Sequence, residues 1–387
     1  MKSPKLILLA ALMALAGGVQ AQNQGPQNTA ASILASNESL SIRGYSELVY
    51  NQQFSTTARY NGKLDAKRFV LFAGYKFDSK TSFVTEMEVE HGNEIYLEQA
   101  FLQHKLATNI NLRAGVLLIP MGIVNEYHEP TTFNGVERPN VDKYILPTTW
   151  RELGMGLQGV VPDANLRYQL YVVNGLKSHD GTNGLFNEVK GMRSGRQKAI
   201  KSTISSPNFT GKLDYIGVRN LTLGASFYSG RSQSTLYNGV ANTDAASLAT
   251  ADSSAVYMNI VGLDARYQKG ALQLRGQLVY NSLSGVAAYN AFTGSELGAA
   301  MWGGYAEVAY QILPASSTYK LLPFIRVEAY DTQVNAAVDN VDSDRTEITT
   351  GLTWHMSPGA VLKADYQLLT QGAATKNQFN LGVGVWF

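Results

Sequence analysis

Between Gly122 and Glu152 the chain gathers ionisable side chains on a stretch broken by prolines: Glu126, His128, Glu129, Glu137, Arg138, Lys143, Arg151 and Glu152, with Pro130, Pro139 and Pro147 among them. Charges of both signs on a loop stiffened by proline and glycine suit the electrostatic sorting of passing solutes. Bond chemistry has no matching constellation. His128-Glu129 lacks a second histidine four residues on, where Thr132 stands, so a helical zinc-protease motif is absent. No local motif ties His91, His104, His128, His179 or His355 to a serine nucleophile, and no glycine-rich phosphate loop follows a strand. A hydrogen bond within the loop is the commoner fate of a histidine such as His128 than metal ligation. No enzymatic activity, cofactor or metal is expected.

Such a loop needs a rigid frame, and the frame is legible in sixteen short segments of alternating apolar and polar residues. They start near Leu40, Ala66, Thr81, Ile95, Ile110, Leu153, Asn165, Gly211, Leu221, Val256, Ala271, Met301, Leu321, Asp344, Ala360 and Asn377. Gaps after even segments are tight and built of turn residues, as in Val218-Arg219-Asn220 and Ser357-Pro358-Gly359, whereas gaps after odd segments are mostly longer. In hydrocarbon only a helix or a closed barrel satisfies every backbone group, and a barrel strand needs ~9 to 11 tilted residues. Short turns at one end, long loops at the other and an even strand count are the trace of a 16-stranded antiparallel transmembrane β-barrel.

Splitting the segments by parity gives two unlike faces. One carries Phe69, Leu71, Tyr75 and Phe77, then Leu166, Tyr168, Leu170 and Val172, and finally Phe379, Leu381, Val383, Val385 and Phe387. The other carries Arg68, Glu86, Glu88, Arg113, Arg167 and Arg275 with many further charges, and is assigned to the lumen. Charges belong there because a cation on the lipid face costs roughly 2 to 4 kcal/mol at the bilayer midplane. Residues from Tyr96 to Lys105 mix the two chemistries and do not declare a face. About sixteen strands enclose an aqueous channel.

The remaining composition fits export. Residues 1–21, with Lys2, Lys5, an apolar run from Leu6 to Ala16 and Val19-Gln20-Ala21, read as a signal peptide cleaved near Ala21. Residues 22–39 form a mobile or weakly helical periplasmic lead-in, and residues 40–387 one barrel domain. A net charge of +2 gives no reason to expect nucleic acid, and the absence of cysteine removes disulfide and thiol chemistry. Outer-membrane lipid and lipopolysaccharide are the expected surroundings. Lys190, Arg193, Arg196, Lys198 and Lys201 read either as a funnel drawing anions toward the mouth or as a solvated loop able to touch lipopolysaccharide phosphates, the second being the commoner case.

Gly115-x4-Pro120-x-Gly122, the His128-Glu129-Pro130 and Glu137-Arg138-Pro139 segments, and Trp150-Arg151-Glu152-x-Gly154-x-Gly156 resemble the phosphate-selective porin O and P family. The specific motifs span about Gly115 to Gly159. The resemblance implies a 16-stranded barrel, a homotrimer and a third outer loop folded inward as a pore constriction, or eyelet. In that family inward arginines and eyelet lysines conduct anions; here Glu126, Glu129, Glu137, Asp142 and Glu152 outnumber Arg138, Lys143 and Arg151 in the loop. The expected function is passive diffusion of ions and small polar solutes through an outer-membrane porin, with anions such as phosphate among them. The alternative is a closed barrel acting as a structural or partner subunit, with Leu146 to Trp150 as a clamp.

Overall fold

The computed structural model describes residues 28–337, 340–372 and 374–387, and the expected signal peptide at residues 1–21 lies outside them. The wall begins with strands β1 Leu40–Phe54, β2 Lys63–Lys76, β3 Thr81–Glu90, β4 Glu94–Ala107, β5 Ile110–Leu118, β6 Arg151–Val161, β7 Leu166–Val173 and β8 Asn208–Tyr215. It continues with β9 Leu221–Arg231, β10 Tyr257–Lys269, β11 Leu272–Ser284, β12 Ala300–Tyr310, β13 Lys320–Val334, β14 Asp344–Ser357, β15 Ala360–Gln371 and β16 Ala374–Trp386. Each expected segment falls on one of these strands, with starts displaced by no more than three residues.

Neighbouring strands pair antiparallel in chain order, and β16 returns to β1 from Tyr45↔Trp386 to Phe54↔Asn377. At the end of that ladder Gly44 and Phe387 each donate an N–H to the other's carbonyl at 2.9 Å, so the last residue closes the seam. A closed ring has no edge, which is the condition for a sheet to sit in hydrocarbon. Tight turns at 77–80, 108–109 and 358–359 mark one end, and loops 119–150, 174–207 and 232–256 the other. The sorting is less strict than the sequence suggests. Residues 311–319 form a longer connection at the short-turn end, and residues 91–93 a short one at the long-loop end.

Alternation sets the two faces. On β2, Phe69 and Tyr75 are exposed while Arg68, Val70 and Phe72 are buried; on β16, Leu381, Val383 and Val385 are exposed while Asn380 is buried. Two bulges break the rule. Glu47 pairs with Arg68 and Val49 with Asp65, so Ala66 and Lys67 together oppose Leu48. Glu86 pairs with Gln99 and Met87 with Leu97, which leaves Glu98 as an extra residue. An inserted residue changes which way the following side chains point. This is why the stretch from Tyr96 to Lys105 shows no clean face: Glu98, Gln99 and Phe101 are all buried.

The lead-in holds a short helix, α1 Thr29–Ala35, with Thr29, Ala30 and Ile33 buried. At the long-loop end, α2 Val141–Tyr144 lies within the 119–150 loop, α3 Ala245–Ser253 follows β9, and α4 Val286–Thr293 follows β11. Lys177–His179 and Gln233–Ser234 pair in parallel and tie two of the long loops together. In α4 the Tyr289 hydroxyl donates to the Ser178 carbonyl at 3.1 Å and accepts the Phe186 N–H at 3.0 Å.

The alternating glycines of β6 have a packing reason. A first side-chain carbon at Gly156 would lie 2.0 Å from the Leu170 carbonyl oxygen of β7. Gly156→Val is expected to destabilise the folded barrel by about 1 to 3 kcal/mol through forced separation of these strands. The measurement is the temperature at which the compact band on an unboiled gel is lost, and an unshifted transition would mean that β7 yields there freely.

Candidate functional site

Residues 119–150 join β5 to β6, and inward-facing side chains from around the ring hold their backbone. Lys212 of β8 donates to the Gly122 carbonyl at 2.6 Å, and Gln277 of β11 accepts the Ile123 N–H at 2.8 Å. Glu328 of β13 accepts the Val141 N–H at 3.1 Å, and Asp365 of β15 the Val136 N–H at 2.5 Å. Lys363 of β15 donates to the Phe133 carbonyl at 2.8 Å and stands 3.7 Å from the centre of its ring. A segment with buried polar groups bonded to opposite walls is fixed across the interior. Asn125 joins its two ends, donating to the carbonyls of Ile119 at 2.7 Å and Trp150 at 2.9 Å and accepting the Trp150 N–H at 2.7 Å.

The loop charges divide into bordering and buried groups. Glu137 accepts from Lys67 at 2.8 Å and from Asn51 at 3.1 Å, and Arg138 donates to the His128 carbonyl at 2.8 Å. These two and exposed Lys143 border a cavity of about 510 Å³ on the long-loop side. Glu126 instead accepts from Gln169 at 2.6 Å and lies 3.5 Å from Lys212. His128 is buried between the Asn125 carbonyl at 3.1 Å and Glu86 at 3.3 Å, as a hydrogen-bonded loop histidine. Glu129 is buried against the Thr29 N–H of α1 at 2.8 Å. Arg151 is buried in an ion pair with Glu98. Glu152 accepts from Trp150 Nε1 and the Gly175 N–H at 2.8 Å each and from the Tyr228 hydroxyl at 3.1 Å. Arg151 and Glu152 therefore anchor the loop's exit into the wall, and the expectation that they face an aperture is corrected. Both are 1% exposed.

The wall charges pair with one another. Arg68 lies 3.2 Å from Glu47 and 3.3 Å from Glu88, while Glu86 accepts from Gln99 at 2.6 Å. Arg113 donates to Gln103 at 2.8 Å with its guanidinium 4.1 Å from the Phe101 ring centre, and Arg167 lies 3.3 Å from Asp214. Arg275 lies 2.9 Å from Glu307, which lies 3.5 Å from Arg326, itself 2.9 Å from Glu328. Of the expected lining residues, Glu86 and Glu88 are enclosed; Arg68 borders the cavity on the long-loop side, and Arg275 the one on the short-turn side.

Cations of the next loop also serve the structure. Arg193 donates to the Thr148 carbonyl, and Arg196 to the Thr149 carbonyl at 2.9 Å, which corrects the reading of these two as solvated. Burial, with Arg196 beside it, pulls the Arg193 guanidinium down to about 9. Charges that sequence parity missed include Lys67, turned inward by the β2 bulge, and Lys212, which binds a loop carbonyl; Lys363, placed inward by parity, binds another. The Lys67-Arg68 doublet was the one available signal, because strict alternation would leave a lysine facing lipid.

A second cavity of about 600 Å³ lies on the short-turn side of the loop, bordered by Ile123, Tyr127, Thr132 and Phe133 together with Arg266, Arg275 and Lys320. Among the described residues it shares no bordering residue with the first. Their charge is uneven. The first is bordered by Lys63, Lys67, Arg68, Arg138, Lys143, Arg193 and Lys376 against Glu90, Glu137, Asp142 and Glu347; among the described residues the second has no carboxylate on its border. The partner acids Glu307 and Asp264 are buried in the wall. On the short-turn side solute space therefore meets the cationic member of the Arg275–Glu307 and Arg266–Asp264 pairs, whereas on the long-loop side both members of the Lys67–Glu137 pair border it.

Closed sixteen-stranded antiparallel architecture, with a long loop held among inward charges, defines a barrel of the outer-membrane porin fold. The outer-membrane channel DcaP of Acinetobacter baumannii matches with a TM-score of 0.57 at 10% identity, covering 90% of this chain and 97% of that one. An anion-selective porin from Comamonas acidovorans matches at 0.58 and 11%, covering 90% and 99%, and the trimer form of Vibrio cholerae OmpT at 0.52 and 10%, covering 90% and 99%. No family model matches the sequence. The chain belongs to the same family as an uncharacterized protein of Aquifex aeolicus (strain VF5), to which it is 33% identical over 343 residues, covering 84% of this chain and 75% of the relative.

Asn125 gives the sharpest test of the loop's anchorage. Asn125→Ala strands the Trp150 N–H, at about 1 to 3 kcal/mol before relaxation, and removes one of the two donors to each of the Ile119 and Trp150 carbonyls, and is expected to loosen the loop while the ring stays closed. Limited trypsin digestion of the folded protein should then cut after Lys143 sooner than in the parent. Equal protection would show that the wall alone positions the loop.

Proposed function

We propose that the protein is an outer-membrane porin, a passive channel for ions and small polar solutes that favours anions. The observation carrying this reading is the charge of its two cavities: among the described residues the one on the short-turn side is bordered by cations without carboxylates, with Glu307 behind Arg275, and around the one on the long-loop side cations outnumber carboxylates. Such an arrangement raises the local anion concentration without requiring a large net charge on the chain. Phosphate as the preferred anion is suggested by the resemblance of residues 115–159, and the anion-selective Comamonas porin of similar fold is compatible with it. Residues 1–21 act in this reading as a cleaved export signal, residues 22–39 as a periplasmic lead-in and residues 40–387 as the barrel. Lipid, lipopolysaccharide and two further copies in a homotrimer are its surroundings.

A second reading, a closed barrel serving as a partner subunit, draws on a different observation: among the described residues the two cavities share no bordering residue, and an apolar cluster including Ile145, Trp150 and Met301 fills part of the interior. Planar-bilayer recording separates the two. Unitary currents with a reversal potential on the anion side of a potassium chloride gradient favour the porin, and silence from folded, inserted protein favours the closed barrel. In a conducting protein, Lys67→Gln with Arg138→Gln is expected to move the reversal potential toward cations, because both cations border the outer cavity. An unmoved potential would remove these two from the filter.

A further inference from the structure

We propose that helix α1 is a releasable stopper at the short-turn end of the lumen, which in its docked position also fixes the adjoining part of the 119–150 loop. Its effect on current rests on the porin reading; its release does not. The docking is specific. Asn28 caps the helix, its Oδ1 accepting the Ala31 N–H at 2.8 Å, and donates from Nδ2 to the Glu126 carbonyl at 3.0 Å. Glu129 accepts the Thr29 N–H at 2.8 Å, and Trp386 Nε1 donates to Thr29 Oγ1 at 2.8 Å. Ile33 occupies the space over Gly74, where a first side-chain carbon would come 2.1 Å from its Cγ2.

Beneath the helix the wall departs from its charged pattern: Tyr45, Val70, Phe72 and Val84 form a buried apolar cluster with Ile33 on the inward face. An apolar patch inside a polar barrel calls for a cover, and this segment of the same chain supplies it. The cover is nonetheless separable. Every strand has both neighbours without it, so no ladder hydrogen bond breaks if it leaves. Only Thr29, Ala30 and Ile33 of the helix are buried, and a helix this short does not hold itself together in water. Few anchors and a short tether to β1 make α1 a local unit that opens before the ring does. On release Glu126 loses Asn28 and Glu129 loses Thr29, which frees that stretch of the loop.

The chain contains no cysteine, so Ile33→Cys introduces a single thiol. In the folded full-length protein a charged methanethiosulfonate reagent is expected to modify position 33 about tenfold faster or more than the buried loop control Ile145→Cys. Equal protection of the two positions overturns the proposal. The double variant Ile33→Cys with Gly74→Cys then locks the helix on oxidation. In bilayers the oxidised form should carry about half the current of its reduced form or less, and equal currents in the two states would refute the stopper. Rapid labelling at position 33 with no current in either state would uphold release and overturn the porin reading instead.

Discussion

Every other feature of this molecule follows from the closure of its backbone ladder. A strand in hydrocarbon has no water to satisfy its N–H and C=O groups, so each must find a neighbour on both sides. Sixteen strands meet that condition only when the last strand pairs with the first, which the ladder from Tyr45↔Trp386 to Phe54↔Asn377 and the two backbone hydrogen bonds between Gly44 and Phe387 accomplish. Once the ring is closed, alternation sends one half of the side chains outward and the other half into a shared interior. The outward half is apolar, so nearly all charge is concentrated inside.

That concentration makes the interior a problem of pairing. An isolated ion away from water costs far more than a paired one, and the wall answers with chains of alternating sign such as Arg275, Glu307, Arg326 and Glu328. The 119–150 loop completes the pairing with its backbone, taking Lys212 and Lys363 on its carbonyls and giving N–H groups to Glu328 and Asp365. Loop and wall are thus parts of one network, and neither position is intelligible without the other. The same network decides which charges remain for solute: Glu307 and Asp264 sink into the wall behind the cations that edge the short-turn cavity, and cations outnumber carboxylates around the other.

How much of this could be read beforehand depended on whether the deciding signal was local. Strand starts were legible to within three residues because alternation and turn chemistry act over a handful of neighbours. Parity failed at Lys67 and Glu98, where a bulge inserts a residue and the only local trace is a broken alternation that does not say where the insertion falls. For the loop, residue types located the charged stretch but could not separate Glu137, which borders a cavity, from Glu152, which accepts from Trp150, Gly175 and Tyr228. Gly175 and Tyr228 are distant in sequence and reach Glu152 only in the folded barrel. Arg193 and Arg196 look like solvated cations until the carbonyls of residues 148 and 149 are brought to them.

The sequence by itself determined the class of architecture, the number of strands, the two faces of most of them and the location of the charged loop. These are consequences of the period of a strand and the chemistry of turns, which are written in neighbouring residues. The tertiary structure alone decided which charges are buried in pairs, which border open space, where the wall shifts register and that α1 covers an apolar patch beside Glu129. Those outcomes depend on groups from opposite sides of a closed ring, and a linear chain carries no record of which of its charges will face each other until the ring has formed.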